Sequence, residues 1–212
     1  LGPERSMDAM HTRILGFPTY ESGHRDLVQR VIWHPDGEEV LTCSQDRTIK
    51  RWRAATGELL HEYHGHTDYV LGICFNPRGD LFISSSHDKT CKLWNYKSGI
   101  ALHTLNGHTD IVYGCCFSPE GNGRKMITCG HDRQIIIWDR KSGMKLQVIE
   151  RVHRGWILCV AAAKDGLRLC TASGDQTLVM WLAKPPACYG FTELYRSWQK
   201  IVRCWEVATG RR

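Results

Sequence analysis

The sequence predicts an all-β protein assembled from repeated four-stranded sheets. Three observations carry that expectation. Tryptophan recurs in register: Trp52, Trp94, Trp138 and Trp181 stand 42, 44 and 43 residues apart. Six residues before each stands an aspartate, Asp46, Asp88, Asp132 or Asp175. Each aspartate in turn follows a histidine (His24, His66, His108, His153) by 22, 22, 24 and 22 residues. Between these fixed points the residues are β-branched and aromatic, and Gly, Pro, Asn and Asp bound them, as in short strands and turns.

Residues 65–94, GHTDYVLGICFNPRGDLFISSSHDKTCKLW, show the unit with its punctuation intact. Gly65-His66 opens a turn. Val70, Ile73 and Phe75 mark a first strand. Asn76-Pro77-Arg78-Gly79-Asp80 is a turn, because Pro presets one backbone angle and Gly permits the next. Residues 81–86 read as a second strand, His87-Asp88-Lys89 as a tight polar turn, and residues 90–94 as a third strand. A Lys97-Ser98-Gly99 turn and a fourth strand at 100–105 lead to the next Gly-His. Four strands in about forty residues cannot bury both sheet faces alone, so the unit needs copies on either side.

The copies divide the chain. Residues 1–22 form a lead-in, with an outer strand expected at residues 13–17 (Arg-Ile-Leu-Gly-Phe). Units follow at about 23–64, 65–106, 107–151 and 152–182. The third is longer because residues 120–124 (Glu-Gly-Asn-Gly-Arg) make a larger turn, and the fourth opens with Val152 where the others have Gly. After Trp181 the period fails. Residues 184–190 are a Pro/Gly-rich break, and residues 197–210 resemble the end of another unit, with Trp205 in the tryptophan place and Thr209-Gly210 copying Thr56-Gly57. Trp205 comes only 24 residues after Trp181, about 19 short of the period of roughly 40–45. Residues 183–212 are therefore read as a disrupted, partial fifth repeat. An incomplete ring is expected: an open arc whose unpaired edges invite self-association.

Composition narrows the function. The formal charge is +6 in 212 residues, with basic side chains scattered, which does not by itself point to nucleic acid. No apolar run approaches the roughly 18 residues of a membrane span. The ten cysteines sit in repeat phase: Cys43 and Cys129 three before the turn Asp, Cys74 and Cys116 eight after the His. Such residues are small apolar core members, with no paired C-x-x-C spacing for zinc. Reduced thiols place the chain inside the cell, in cytoplasm or nucleus.

A repeat of roughly 40–45 residues with this punctuation marks a β-propeller blade. Across about residues 23–181 the chain resembles the WD40 repeat family, with weaker traces on either side. The resemblance implies a non-catalytic scaffold that binds protein or peptide partners through one rim of the propeller, with no cofactor and no metal. In the family an N-terminal strand often completes the last blade.

Each unit also holds a hydroxyl four residues before its Asp: Thr42, Ser84, Thr128 and Thr171. Ser, His and Asp together suggest a hydrolase triad, but a triad is needed once, at an exposed cleft, and here the set occurs four times. A structural reading fits better. A buried indole N–H needs an acceptor; the hydroxyl supplies it, passes a bond to His, and His bonds Asp. The family resemblance implies the same: four structural tetrads, His24-Thr42-Asp46-Trp52, His66-Ser84-Asp88-Trp94, His108-Thr128-Asp132-Trp138 and His153-Thr171-Asp175-Trp181. His61 and His64 beside His66 invite a metal reading that their strand-edge and turn positions disfavour. The glycine-rich stretch 121–125 joins two strands and not a strand to a helix, so it is a hairpin loop and not a phosphate loop.

The resemblance further implies that three positions per unit face the partner-binding rim: three and five after the His, and one before the Asp. These are Leu27, Gln29 and Gln45; Tyr69, Leu71 and His87; Ile111, Tyr113 and His131; Trp156, Leu158 and Gly174. Val28, Val70, Val112 and Ile157 lie between the first two and should point inward, since strand neighbours face opposite ways. Tyr69, Tyr113 and Trp156 are the rigid amphipathic anchors that dominate protein interfaces. No acidic or basic side chain except His stands among the twelve. Two other readings remain open. One is a nucleic-acid-associated scaffold in an RNA- or chromatin-linked complex. The other is a substrate adaptor of a cullin-type ubiquitin ligase, although Trp138-Asp139-Arg140-Lys141 ends in Lys where such adaptors carry Arg.

Overall fold

The computed structural model describes residues 23–166, 168–183 and 198–206, the stretches 182–183 and 198–206 by their backbone path. The strand expected at residues 13–17, the break at 184–190 and Thr209-Gly210 lie outside them. Among the described residues there are sixteen strands in four antiparallel sheets. The first holds β1 Val28–Trp33, β2 Glu39–Ser44, β3 Ile49–Arg53 and β4 Leu59–Tyr63 in that order. The second holds β5 Val70–Phe75, β6 Leu81–Ser86, β7 Thr90–Asn95 and β8 Ala101–Asn106. The third holds β9 Val112–Phe117, β10 Lys125–Gly130, β11 Ile135–Asp139 and β12 Lys145–Ile149. The fourth holds β13 Ile157–Ala162, β14 Arg168–Ser173, β15 Thr177–Ala183 and β16 Trp198–Glu206.

Turn chemistry sets these hairpins. The turn between second and third strands carries Arg47, Lys89, Arg133 or Gln176 at positive φ, between 62° and 71°. That region costs an L-residue about 1–2 kcal/mol. The preceding aspartate compensates: Asp88 Oδ1 accepts from the Thr90 backbone N–H at 2.9 Å and its hydroxyl at 2.7 Å, and Asp46 and Asp175 hold Thr48 and Thr177 in the same way. Residues 120–122 form a single 3₁₀ turn between β9 and β10. Gly123, at φ 72°, lies so close under Phe117 that a Cβ would come within 2.8 Å of its ring. This glycine-rich stretch is packed hairpin, with its close approaches made to protein.

Trp198–Glu206, expected as the tail of a partial fifth unit, is instead the outer strand of the fourth sheet. Ala183 pairs with Trp198, Leu182 with Gln199, and Leu178 with Trp205. The physical reason is edge satisfaction. β15 would otherwise present a row of unpaired N–H and C=O groups, and the next β-rich segment supplies the partners. No separate fifth sheet is present among the described residues.

Each sheet turns one face, the leading face, toward the sheet before it and the other, the trailing face, toward the sheet after it. Leu41, Cys43, Ile49 and Tyr63 on the trailing face of the first pack on Val70, Ile73, Phe82 and Trp94 of the second. Ile83, Cys91, Leu93 and Leu105 pack on Val112, Phe117, Met126 and Trp138. Ile127, Cys129, Ile135 and Ile137 pack on Ile157, Val160, Leu169 and Trp181. The innermost strands β1, β5, β9 and β13 stand side by side, and among the described residues the fourth sheet does not pack back on the first. The result is an open arc of four sheets. Val28 shows the consequence. It was expected to point inward, yet it is 53% exposed while Val70, Val112 and Ile157 are fully buried. The direction along the strand is the same; among the described residues no sheet stands in front of the first.

Cys43, Cys91 and Cys129 are buried and Cys116 nearly so, and among the described residues eight cysteines are free thiols. Burial pushes the Cys43 thiol up to about 12 and raises Cys91, Cys116 and Cys129 as well, so these four are inert core members. A polar staple escaped the sequence reading. Arg51 grips Glu39 with two hydrogen bonds of 2.7 and 2.8 Å, Tyr96 donates to the same carboxylate, and the guanidinium lies 4.4 Å over the Tyr96 ring. It joins the first sheet to the second.

Candidate partner-binding rim

The rim is built on the tetrads beneath it. In the second unit Trp94 Nε1 donates to Ser84 Oγ at 2.8 Å, Ser84 Oγ lies 2.7 Å from His66 Nε2, and His66 Nδ1 lies 2.7 Å from Asp88 Oδ2. Only one set of roles uses every donor. Indole N–H gives to hydroxyl, hydroxyl O–H gives to Nε2, and Nδ1–H gives to a carboxylate that must be ionised. The first unit repeats this through Trp52, Thr42, His24 and Asp46 at 2.8, 2.6 and 2.8 Å. The third does so through Trp138, Thr128, His108 and Asp132 at 2.9, 2.8 and 2.8 Å. The fourth is looser. Trp181 reaches Thr171 at 3.2 Å, His153 Nε2 reaches Thr171 at 2.9 Å, and His153 Nδ1 is 2.9 Å from Thr177 Oγ1 and 3.3 Å from Asp175. Among the described residues no buried side-chain nitrogen or oxygen lacks a partner. The hydroxyls Ser84 and Thr128 are fully buried, which closes them to a substrate.

Burial works to raise the Asp46 carboxyl; hydrogen bonds from Thr48, the Arg25 backbone N–H and His24 outweigh it and hold the group at about 2. At Asp88 burial is again opposed, by His66 and Thr90, and at Asp132 by His108; both carboxyls are lowered. Burial lowers His24 from its ordinary 6.5. In each case the unfolded chain binds more protons than the folded one as pH falls. Stability is therefore fully present near neutrality. It begins to drop below about 6.5 through His24 and falls further through the ordinary carboxylate value of 3.8 toward 2. Thermal unfolding midpoints measured from pH 8 to pH 3 should show that two-stage decline; a flat profile down to pH 3 would refute the assigned charge states.

Above the tetrads, one short backbone hydrogen bond per unit draws the rim positions together. Gln45 N–H donates to Leu27 O, His87 to Tyr69, His131 to Ile111 and Gly174 to Trp156, at 2.8 to 2.9 Å. Leu27, Tyr69, Trp156 and Leu158 are exposed by 65%, 40%, 51% and 41%. Gln29 and Gly174 are exposed, and Gln45, Leu71, His87, Ile111, Tyr113 and His131 partly so. The Trp156 ring stacks on His131 at 4.3 Å across the junction of third and fourth sheets. Tyr113 lies 6.3 Å from His131, and Tyr69 lies 5.6 Å from His87. Leu27, Gln29 and Gln45 contribute no ring at the open end.

The sequence reading missed the acids here. His87 Nδ1 meets Asp68 Oδ2 at 2.8 Å, and His131 Nδ1 meets Asp110 Oδ2 at 2.6 Å. Hydrogen bonding from the Ile111 N–H, with His131 and Lys89 nearby, lowers the Asp110 carboxyl. Their signal was available, because Asp26, Asp68 and Asp110 each stand two residues after a tetrad histidine. Arg47, Lys89 and Arg133 are exposed on the neighbouring turn tips. His66 is taken by its tetrad, His61 packs edge-on to Tyr63 at 4.6 Å, and His64 lies beside Glu62. Arg140 donates to Asn122 O at 3.1 Å.

Residues 17–53, 57–95, 99–139 and 144–181 match the repeat described as WD domain, G-beta repeat. A 41-residue stretch is 39% identical to WD repeat-containing protein 26 homolog of Arabidopsis thaliana, covering 19% of this chain and 7% of that protein. A 48-residue stretch is 46% identical to the Ribosome biogenesis protein BOP1 homologs of Drosophila grimshawi and Drosophila melanogaster, covering 21% of this chain and 6% of each. The matched stretches span less than a tenth of these relatives' own length.

Proposed function

The chain belongs to the WD40 repeat family, and we propose that it is a non-catalytic scaffold whose aromatic rim binds a protein or peptide partner. WD40 repeat domains are generally protein-interaction scaffolds. The observation that carries the rim reading is the Tyr113–His131–Trp156 run of rings with the Asp110 carboxylate at its edge. Flat rings beside a carboxylate suit an arginine anchor, which stacks and accepts ion pairing at once. Isoleucine and leucine neighbours suit an apolar one. Reduced, buried thiols support an intracellular setting, cytoplasmic or nuclear. Among the described residues no helix is long and apolar enough to cross a membrane.

A second reading rests on Arg47, Lys89 and Arg133, which would offer charges to a phosphate backbone. The two separate on salt. Binding through phosphates weakens steeply, by about 10³–10⁵-fold between 50 and 200 mM salt for six to ten contacts. Retention of the purified chain on immobilised RNA, DNA and captured partner is the test. The rim reading expects a partner held with a shallow salt slope and no nucleic-acid retention at 200 mM. Retention on RNA or DNA that Arg47→Ala and Lys89→Ala abolish would replace it. The ligase-adaptor reading requires co-purification with the ligase subunits.

A further inference from the structure

We propose that a cleft between the second and third sheets, at the strand ends opposite the rim, binds an acidic peptide through one apolar anchor. The site is separate from the rim and does not depend on what the rim binds.

The cleft exists because one junction lacks what the other has. Between the first and second sheets the space is filled by the Arg51–Glu39–Tyr96 staple. Glu39 and Arg51 stand thirteen and one residues before Trp52, and Tyr96 stands two after Trp94. Between the second and third sheets the same places hold Leu81, Leu93 and Arg140. Two leucines cannot hold a guanidinium by hydrogen bonds. Arg140 is drawn aside instead and donates at 3.1 Å to Asn122 O, on the longer turn of the third unit. The two junctions are otherwise framed alike. A Cβ at Gly99 would strike the His61 ring, and one at Gly143 would strike the His103 ring. His103 Nε2 also donates to Lys141 O at 3.1 Å. The turn is thus held against the preceding sheet at both junctions, while the filling differs. What remains at the second is an open cleft of about 450 Å³, within the roughly 300–1,000 Å³ of ligand clefts. Both of its walls belong to sheets that have a sheet on either side. Further repeats joined at the ends of the arc would leave it open.

The lining sets the occupant. Leu81, Leu93 and Leu102 make an apolar floor, which suits an aliphatic or aromatic side chain and not a phosphate. Arg140 and Lys141 stand at the lip, and among the described residues neither forms an ion pair. Arg140 keeps guanidinium donors beyond the one given to Asn122. Arg124, whose carbonyl accepts from the Arg140 N–H, adds a third cation beside them. Two acids are near. Asp80 is turned onto Asn76 Nδ2 at 2.7 Å, and Asp139 onto the Ser142 N–H and hydroxyl at 2.9 Å. The lip therefore favours incoming carboxylates. Along the cleft runs β8, the last strand of its sheet, whose outward N–H and C=O groups can pair with an extended peptide. An apolar residue flanked by acids would set its side chain on the leucines and its carboxylates at the lip.

Fluorescence anisotropy of the chain with a labelled Asp-Glu-Leu-Glu-Asp peptide is the test, beside Asp-Glu-Ala-Glu-Asp and Lys-Lys-Leu-Lys-Lys. Saturable binding of the first is expected. The alanine peptide should bind at least about tenfold more weakly, as losing one buried leucine side chain implies, and the lysine peptide should not bind. Lys141→Glu changes an exposed side chain and should also cost about tenfold. Lys97→Glu, the same change at the filled junction, should cost little. Leu81→Glu with Leu93→Arg and Arg140→Tyr rebuilds the staple inside the cleft and should abolish binding, with the fold retained by circular dichroism. No saturable binding, equal binding of the leucine and alanine peptides, or indifference to Lys141→Glu or to the triple variant would each overturn the proposal. So would displacement of the peptide by oligouridine at about 200 mM salt, which would assign the cleft to phosphates. If the triple variant does not fold, Lys141→Glu and the alanine peptide still decide.

Discussion

Asp88→Ala is expected to destabilise the chain by about 3 kcal/mol, whereas Lys89→Ala, one residue on, should change stability by less than about 0.5 kcal/mol. Asp88 accepts four hydrogen bonds. Oδ2 takes His66 Nδ1 at 2.7 Å and the Thr67 backbone N–H at 3.1 Å, and Oδ1 takes the Thr90 N–H and hydroxyl. Removing the carboxylate strands the imidazole donor in a buried place. It also frees a turn whose central residue, Lys89, sits at φ 68°. Bonds to a charged acceptor are worth roughly 1.5–3 kcal/mol each, and they do not add fully because they share one group. Lys89 lends the turn only its backbone, so truncating its exposed side chain leaves those bonds intact. Asp88→Asn is the informative intermediate: it keeps an acceptor oxygen and removes the charge. Its loss should fall between the two, and its midpoint should depend less on pH below about 4. Thermal and urea unfolding of the three variants are the measurements. Equal shifts for Asp88→Ala and Lys89→Ala would show that the histidine does not depend on the carboxylate.

The fold was legible because its punctuation is local. Gly, Pro and Asp specify turns within a few residues, and Trp94 or Trp138 can be buried only if a hydroxyl ten residues earlier meets its N–H. What stayed hidden was long-range. Residues 198–206 gave no sign of which edge they would join, since any strand can satisfy β15 and the sequence period had already failed. Val28 carries the same pattern as Val70, yet its burial depends on a neighbouring sheet, a property no window of the first unit encodes. At the rim, counting in phase found Tyr69, Tyr113 and Trp156. It overlooked Asp68 and Asp110, although each stands two residues after a tetrad histidine, because the repeat shows their phase and only the folded loop brings them to His87 and His131. The Arg51–Glu39–Tyr96 staple joins residues far apart in sequence with no repeat to announce it.

Trp156→Ala and Tyr113→Ala are each expected to weaken the principal partner by about 2 kcal/mol, roughly thirtyfold in Kd, with the fold retained. Trp156 is the stronger case. Half of its surface is exposed, so truncation leaves no core cavity. Its ring also stacks on His131 at an interplanar angle of 28°, which fixes the ring before any partner arrives. A fixed aromatic loses little side-chain freedom on binding, and that is where large hot-spot losses concentrate. Tyr113 is partly buried beside His131, and its backbone carbonyl accepts from Ser85 at 3.2 Å; the alanine variant keeps that bond, so the second and third sheets stay joined. Asp110→Asn separates the two kinds of anchor. With an arginine anchor it should cost nearly as much as Trp156→Ala, since the ion pair is lost; with an apolar anchor it should cost little. The control is Lys97→Ala, exposed on the turn between third and fourth strands, at the opposite ends of the strands from His87 and Asp88. Calorimetric titration of the captured partner into the four variants decides the face. If Lys97→Ala alone weakens binding while Trp156→Ala and Tyr113→Ala bind as the parent does, the partner sits on the other rim and the twelve positions are not its site.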